Sequence, residues 1–187
     1  QQGSTKVKAL DEISFNMNKG ETLAIVGPSG SGKTTLLSLL AGLDDPSSGK
    51  IVLDDSEISS LNEVQLSQFR AKNMGIVFQQ FHLLPYMTAL ENVALPLELN
   101  NEPDIEARAL NALKSVGLSE RLHHRPDQLS GGECQRVAIA RAIVISPKIL
   151  LADEQSGNLD TETGEIIMKL LFDLVANENV TLILVTH

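Results

Sequence analysis

Tryptophan is absent from this chain of 187 residues, tyrosine and cysteine each occur once, and aromatic residues make up 3% of it. The single thiol, Cys134, rules out an internal disulfide framework and a cysteine-rich zinc site, and it fits a reducing cytosol. Long hydrophobic runs are missing too. Stretches such as Val137–Ile145 are short and carry Arg141, well below the ~20 residues of a membrane-spanning helix. No secretory signal pattern opens the chain, so a role at a membrane would be exercised from one side. Basic residues are few: 15 Lys and Arg face 24 Asp and Glu, for a formal net charge of −9. That balance argues against a nucleic-acid binder, which needs a basic face to neutralise phosphates. It leaves room for a nucleotide, because one lysine and a set of backbone amides can hold a triphosphate inside an acidic protein. Charge blocks, low-complexity runs and internal repeats are likewise absent, which argues against disorder and repeat architectures.

What is present is a layered alternation. At 42% hydrophobic the chain can bury the core of one domain but hardly two. Thr22–Val26 reads as a buried strand, followed by a glycine-rich turn and a helix to about Ala41. Lys50–Leu53 and Gly75–Phe78 read as further strands, and Phe15 is expected in a strand as well. Ser60, Leu61, Asn62 and Glu63 have capping-box spacing, which predicts a helix from there to about Ala71. A mainly helical middle runs from about Thr88 to Arg121, with Pro103 suited to the first turn of its second helix. Helix (about Gly131–Ile145), strand (Ile149–Ala152), helix (Thr161–Ala176) and strand (Thr181–Val185) complete an α/β pattern in which helices are inserted between two β-rich ends.

Two motifs carry chemistry on their own. Gly27, Pro28, Ser29, Gly30, Ser31, Gly32, Lys33 and Thr34 form a complete G-x-x-x-x-G-K-[ST], with an apolar strand before it and a helix after it. Glycines let successive N–H groups point inward, the helix presents its positive end, and the loop becomes an anion cavity that Thr35 extends. Lys33 adds a point charge for the β- and γ-phosphates of a nucleotide, and the Thr34 hydroxyl suits Mg²⁺. Further on, Ile149–Ala152 ends in Asp153 and Glu154. Four apolar residues followed by two carboxylates describe a buried strand whose tip opens at the ligand edge of a parallel sheet. Asp153 is suited to hold Mg²⁺ through water, and Glu154 to orient or deprotonate an attacking water.

A third motif, Leu129, Ser130, Gly131, Gly132 and Glu133, precedes an alanine-rich helix. Ser130 and Glu133 have the spacing of an N-capping box. Capping alone does not account for two adjacent glycines, which disfavour a helix by roughly 1 kcal/mol each. They present bare backbone that a phosphate can approach. Two such anion-binding helix starts in one chain suggest a two-fold dimer in which each nucleotide is shared.

With the phosphate loop and the acidic strand end beside it, this L-S-G-G-E motif resembles the ATP-binding-cassette family along nearly the whole chain. The resemblance implies an α/β P-loop NTPase fold with a mainly parallel core sheet and an N-terminal antiparallel β portion. It implies a core over about 1–80 and 146–187 and a helical subdomain over about 81–145. It implies ATP hydrolysis with Mg²⁺, in which Gln79 touches the metal and the attacking water and His187 contacts the γ-phosphate. Ser130, Gly131 and Gly132 would meet the ATP of a second ATPase subunit, and Ser156, Gly157, Asn158, Leu159 and Asp160 would carry communication between the two sites. The partner would be a transmembrane permease, received near Gln79–Tyr86 at the cytoplasmic face of the membrane. Around Gln79 the apolar residues Phe78, Phe81, Leu83, Leu84, Pro85 and Tyr86 cluster, in part as core and in part as a groove for that partner.

Finer stretches, Leu40–Asp44, Ala89–Pro96 and Ser156–Asp160, resemble the lipoprotein-release and macrolide-export ATPases, which work with FtsX-type permeases. Three departures stand out. Gln155 replaces the usual proline after the catalytic glutamate, which frees φ and adds an N–H. Cys134 replaces the usual Gln or Lys and is expected as a helix-surface variation. The adenine-stacking aromatic residue should lie upstream of Gln1, and the chain is expected to be trimmed at both ends. His123 and His124 are expected as a solvated pair, because neighbours on a helix do not face each other. A non-transport ABC ATPase lacks the long insertions it would need here, and a GTPase lacks its Asn-Lys-x-Asp motif. A regulatory module that no longer hydrolyses has only Gln155 and the trimmed ends in its favour.

Overall fold

The computed structural model describes residues 8–153 and 161–186. Strand β1 (Thr22–Val26) leads through the glycine-rich turn into helix α1 (Lys33–Leu40). A two-residue antiparallel pair, β2 (Val52–Leu53) and β3 (Ser56–Glu57), precedes a 3-10 turn (Ile58–Ser60), α2 (Glu63–Asn73) and β4 (Met74–Val77). Three helices follow in succession, α3 (Ala89–Leu99), α4 (Ile105–Ser115) and α5 (Gly131–Ile143), then β5 (Ile149–Asp153), α6 (Thr161–Glu178) and β6 (Thr181–Thr186).

Strands β4, β5 and β6 are apolar because they are covered on both faces, whereas β1, expected to be buried, is an edge strand whose residues alternate between exposed and half-buried. The four strands pair in parallel in the order β1-β6-β5-β4. Ile149, Leu151, Ile183 and Val185 pack with Leu37 and Leu40 of α1 and with Ala41, its C-cap, on one face. Leu150, Ala152, Leu182 and Leu184 pack on the other face against a larger cluster from α3 to α6. The register sets Val26 beside Thr186, Asp153 beside Val185 and Val77 beside Ala152. All four C-terminal strand tips therefore share one edge, where ligands of open parallel sheets bind. Among the described residues no helix is long and apolar enough to cross a membrane.

Several local expectations are corrected. The cap of α2 is Asn62 rather than Ser60: Asn62 Oδ1 accepts from Gln65 N at 3.0 Å, and Gln65 Oε1 accepts from Asn62 N at 3.1 Å. The same template is simply shifted by two residues, asparagine capping as well as serine, while Ser60 Oγ donates to Glu57 O at 2.8 Å and closes the preceding turn. Pro103 lies before Asp104, the N-cap of α4, instead of inside its first turn. Lys50 and Ile51 fall outside β2, which pairs only through a two-residue hairpin. Phe15 belongs to no strand of the described residues.

Candidate functional site

The turn between β1 and α1 is built to accept an anion. Gly32 caps α1 in a left-handed conformation (φ 90°), with no side-chain hydrogen bond to the cap and no acidic residue in the first turn. By contrast, α2, α3 and α5 each carry a complete capping box. The first N–H groups of α1 are thus left for a ligand. Gly32 is also required sterically, since a Cβ there would meet Ala9 O at 2.5 Å. Lys33 is only 9% exposed, and its Nζ folds back to donate to Gly27 O at 2.6 Å and Pro28 O at 3.0 Å. These acceptors are neutral, so they solvate the ammonium without cancelling its charge. With its lysine and its uncapped helix start, the loop is a positive turn that a polyphosphate suits.

The same edge of the sheet carries further predicted residues. Gly27 follows β1, Asp153 ends β5, and Gln79 stands two residues past β4. The Thr34 hydroxyl, Asp153 carboxylate and Gln79 amide are all hard oxygen donors, the set that fits Mg²⁺. Glu154, Gln155, the Ser156–Asp160 stretch and His187 lie outside the described residues.

The glycine pair starts α5 as its motif predicts. Ser130 Oγ accepts from Glu133 N at 3.2 Å, and Glu133 Oε2 accepts from Ser130 N at 2.8 Å. Arg121 Nε, from the connection after α4, donates to Glu133 Oε1 at 2.9 Å. The Ser130 N–H first and then Arg121 hold the Glu133 carboxyl down at about 2, so the cap stays ionised at neutral pH. Gly131 is exposed at this tip and Gly132 is buried beneath it.

The whole region from Leu10 through the start of the Ser156–Asp160 stretch, residues 10–157, matches the ABC transporter family. The chain belongs to that family. It is an ABC ATPase cassette, an ATP-binding P-loop hydrolase. It is 50% identical to an uncharacterised ABC transporter ATP-binding protein of Thermotoga maritima, covering 99% of this chain and 80% of that one. The lipoprotein-releasing system ATP-binding protein LolD of Legionella pneumophila is 49% identical, over 99% of this chain and 82% of that one. Among solved structures, the dimeric MJ0796, a bacterial ABC transporter cassette, superposes with a TM-score of 0.91 at 43% identity, covering 100% of this chain and 83% of that one. The post-hydrolysis MJ0796 dimer bound to ADP and Pi has the same TM-score at 42% identity, with the same coverage.

In this cassette the apolar cluster beyond Gln79 divides in two. Phe81 and Leu83 pack against the core, while Leu84 (41% exposed) and Tyr86 (87% exposed) face outward. One residue shaping that loop was not legible as functional. Asn92, fully buried in α3, accepts from Leu84 N at 2.8 Å and donates from Nδ2 to the carbonyls of Leu84, Met87 and Thr88 at 3.0–3.2 Å. An asparagine in the otherwise apolar helix phase of Ala89, Val93 and Leu97 was the available signal. Cys134 is likewise not on the helix surface. It is buried, with Sγ 3.5 Å from Pro126 O, because the Pro126–Gln128 turn covers the first turn of α5. His123 is exposed and His124 half-buried, and among the described residues no cluster of three metal-ligating side chains forms.

Proposed function

We propose that this chain is the motor subunit of a lipoprotein-release or related export system, working as an ATP-sandwich dimer beneath a separate FtsX-type permease. The observation that carries this is the pairing of two unlike glycine-rich helix starts in one chain. One is uncapped and beside a buried lysine, while the other is capped within the chain and exposes Gly131 at its tip. The LolD relative supports the branch and the direction of transport, and the dimeric cassettes support the assembly.

Lys33 and the first N–H groups of α1 bind the β- and γ-phosphates, and Ser130, Gly131 and Gly132 of the second copy close on the γ-phosphate. Thr34, Gln79 and Asp153 would hold Mg²⁺, whose positive charge would help to neutralise the phosphate oxygens. Glu154 takes the proton of the attacking water, while Gln79 and His187 align the site. The Ser156–Asp160 stretch links the two sites of the dimer. The helices of about 81–145 act as a subdomain distinct from the core of about 1–80 and 146–187. Their movement on closure transmits force to the permease at the cytoplasmic face. Leu84 and Tyr86 supply the apolar contact with that permease; Tyr86→Asp should uncouple hydrolysis from transport, and unchanged transport would remove this contact.

The test of the whole reading is Glu154→Gln. Nucleotide binding should persist, dimers should accumulate with ATP in size-exclusion chromatography, and turnover should collapse. Near-normal hydrolysis in that variant would overturn the assignment of the base, and a strictly monomeric ATP-bound protein would overturn the sandwich.

A further inference from the structure

Beyond Gln79 the backbone enters a conformation that ordinary residues avoid. Phe81 and His82 are consecutive left-handed residues, with φ of 57° and 46°. The turn closes on itself through His82 N–H donating to Gln80 O at 2.5 Å, a two-residue reach characteristic of the rarer, strained γ-turn. Two such residues in a row persist only where their surroundings over-determine them. Phe81 packs on the core, and the His82 ring meets Phe78 edge-on at 5.0 Å. The strongest hold comes from a distant helix. Arg141 Nη2 donates to Phe81 O and Nη1 to His82 O, both at 2.7 Å. A planar guanidinium fork thus spans the carbonyls of both left-handed residues, a geometry that a lysine cannot reproduce.

Arg141 sits in the last turn of α5, and that turn is seated firmly. The next residue, Ala142, sets its carbonyl so close to β4 that a Cβ on Gly75 would lie 2.4 Å from it. The same helical turn therefore rests on the strand that leads to Gln79 and grips the loop just past Gln79. At its other end, α5 begins with Ser130–Gly132.

We infer that Arg141 is a positioning residue for Gln79, setting the loop from Gln79 to His82 according to where α5 lies. A tilt of α5 about its seat on Gly75 carries the guanidinium, the two carbonyls follow, and Gln79 moves with them. The helix whose tip meets the nucleotide of the second copy would in this way deliver Gln79 to the nucleotide of its own. The inference rests on the reading of Gln79 as a residue that contacts the metal and the attacking water.

Hydrogen–deuterium exchange of the purified protein reads this clamp without reference to turnover. Arg141→Ala should speed exchange across residues 79–84 by roughly tenfold or more, as expected when two charge-assisted hydrogen bonds are lost. Exchange in β5 and β6 should stay unchanged. Arg141→Lys keeps the charge and the stem but only a point donor, so it should fall between, and it decides the matter if the alanine variant does not fold. In steady state KM should stay within about twofold while kcat falls by roughly tenfold and half-maximal turnover needs more Mg²⁺. Unchanged exchange over 79–84 in a folded Arg141 variant, or equal acceleration throughout the protein, would overturn the inference. Gln79→Ala tests the underlying reading separately: if it leaves the Mg²⁺ requirement unchanged, that reading fails, while the exchange data still judge the clamp.

Discussion

Replacing Asn92 by alanine and by aspartate gives two outcomes whose order follows from the hydrogen bonds around it. The side chain is fully buried and satisfies four backbone groups of the loop that precedes and opens α3. Two of those groups keep a second partner without it, since Leu84 O also accepts from Met87 N and Thr88 O from Asn92 N. Asn92→Ala therefore orphans chiefly Leu84 N–H and Met87 C=O. At about 1.5 kcal/mol for each of these two buried groups left unsatisfied, the loss is about 3 kcal/mol. For a protein of this size that lowers Tm by about 6–12 °C. Asn92→Asp keeps shape and the acceptor for Leu84 N–H, but it turns an oxygen toward three carbonyls where Nδ2 stood. The introduced carboxyl must be protonated to fold well, so its folded pKa is raised. Its penalty is smallest at low pH and grows by about 1.4 kcal/mol per unit as pH rises past the unfolded carboxylate value. Urea unfolding followed by circular dichroism at pH 5 and pH 8 should rank wild type above alanine above aspartate at pH 8, with the aspartate gap narrowing at pH 5. An Asn92→Asp variant as stable as wild type at pH 8 would refute this account of the loop.

Two further substitutions probe the frame of the site. Gly75→Ala would force a methyl to within 2.4 Å of Ala142 O and 2.9 Å of a Leu150 methyl; a loss of about 1–3 kcal/mol is expected in chemical denaturation, and a change below about 0.5 kcal/mol would mean that α5 is not seated on β4 as described. Glu133 has its carboxyl lowered from 4.5 to about 2, so the stability it contributes is full above pH 4.5 and is lost as pH falls toward 2. Glu133→Gln should cost about 1 kcal/mol at pH 7 and progressively less between pH 4.5 and pH 3 in urea titrations, and a pH-independent difference would contradict the ionised cap.

What the sequence by itself determined are the features whose partners lie within a few residues. The phosphate loop, the apolar strand ending in Asp153, and the Ser130–Glu133 box are each written by neighbours at fixed spacing, so local chemistry suffices to read them. The motif spacing also carried the family, because the same residues recur at the same places. Even there, adjacent candidates compete, as Ser60 and Asn62 did for the start of α2. Tertiary structure alone decided which distant groups meet. Arg141 reaches carbonyls 59 and 60 residues away. Asp54 joins Lys19, at 2.6 Å, to Lys148, at 2.5 Å. Gly75 lies against Ala142, and Cys134 is covered by a turn that precedes its own helix. No periodicity records such pairs. Most of them exist because the chain packs segments far apart in sequence side by side, with the parallel order β1-β6-β5-β4 setting β4 under the end of α5, while Cys134 meets a turn only eight residues before it. Side chains that are neutral choices locally then acquire partners, and with them a role, from the packing of the whole.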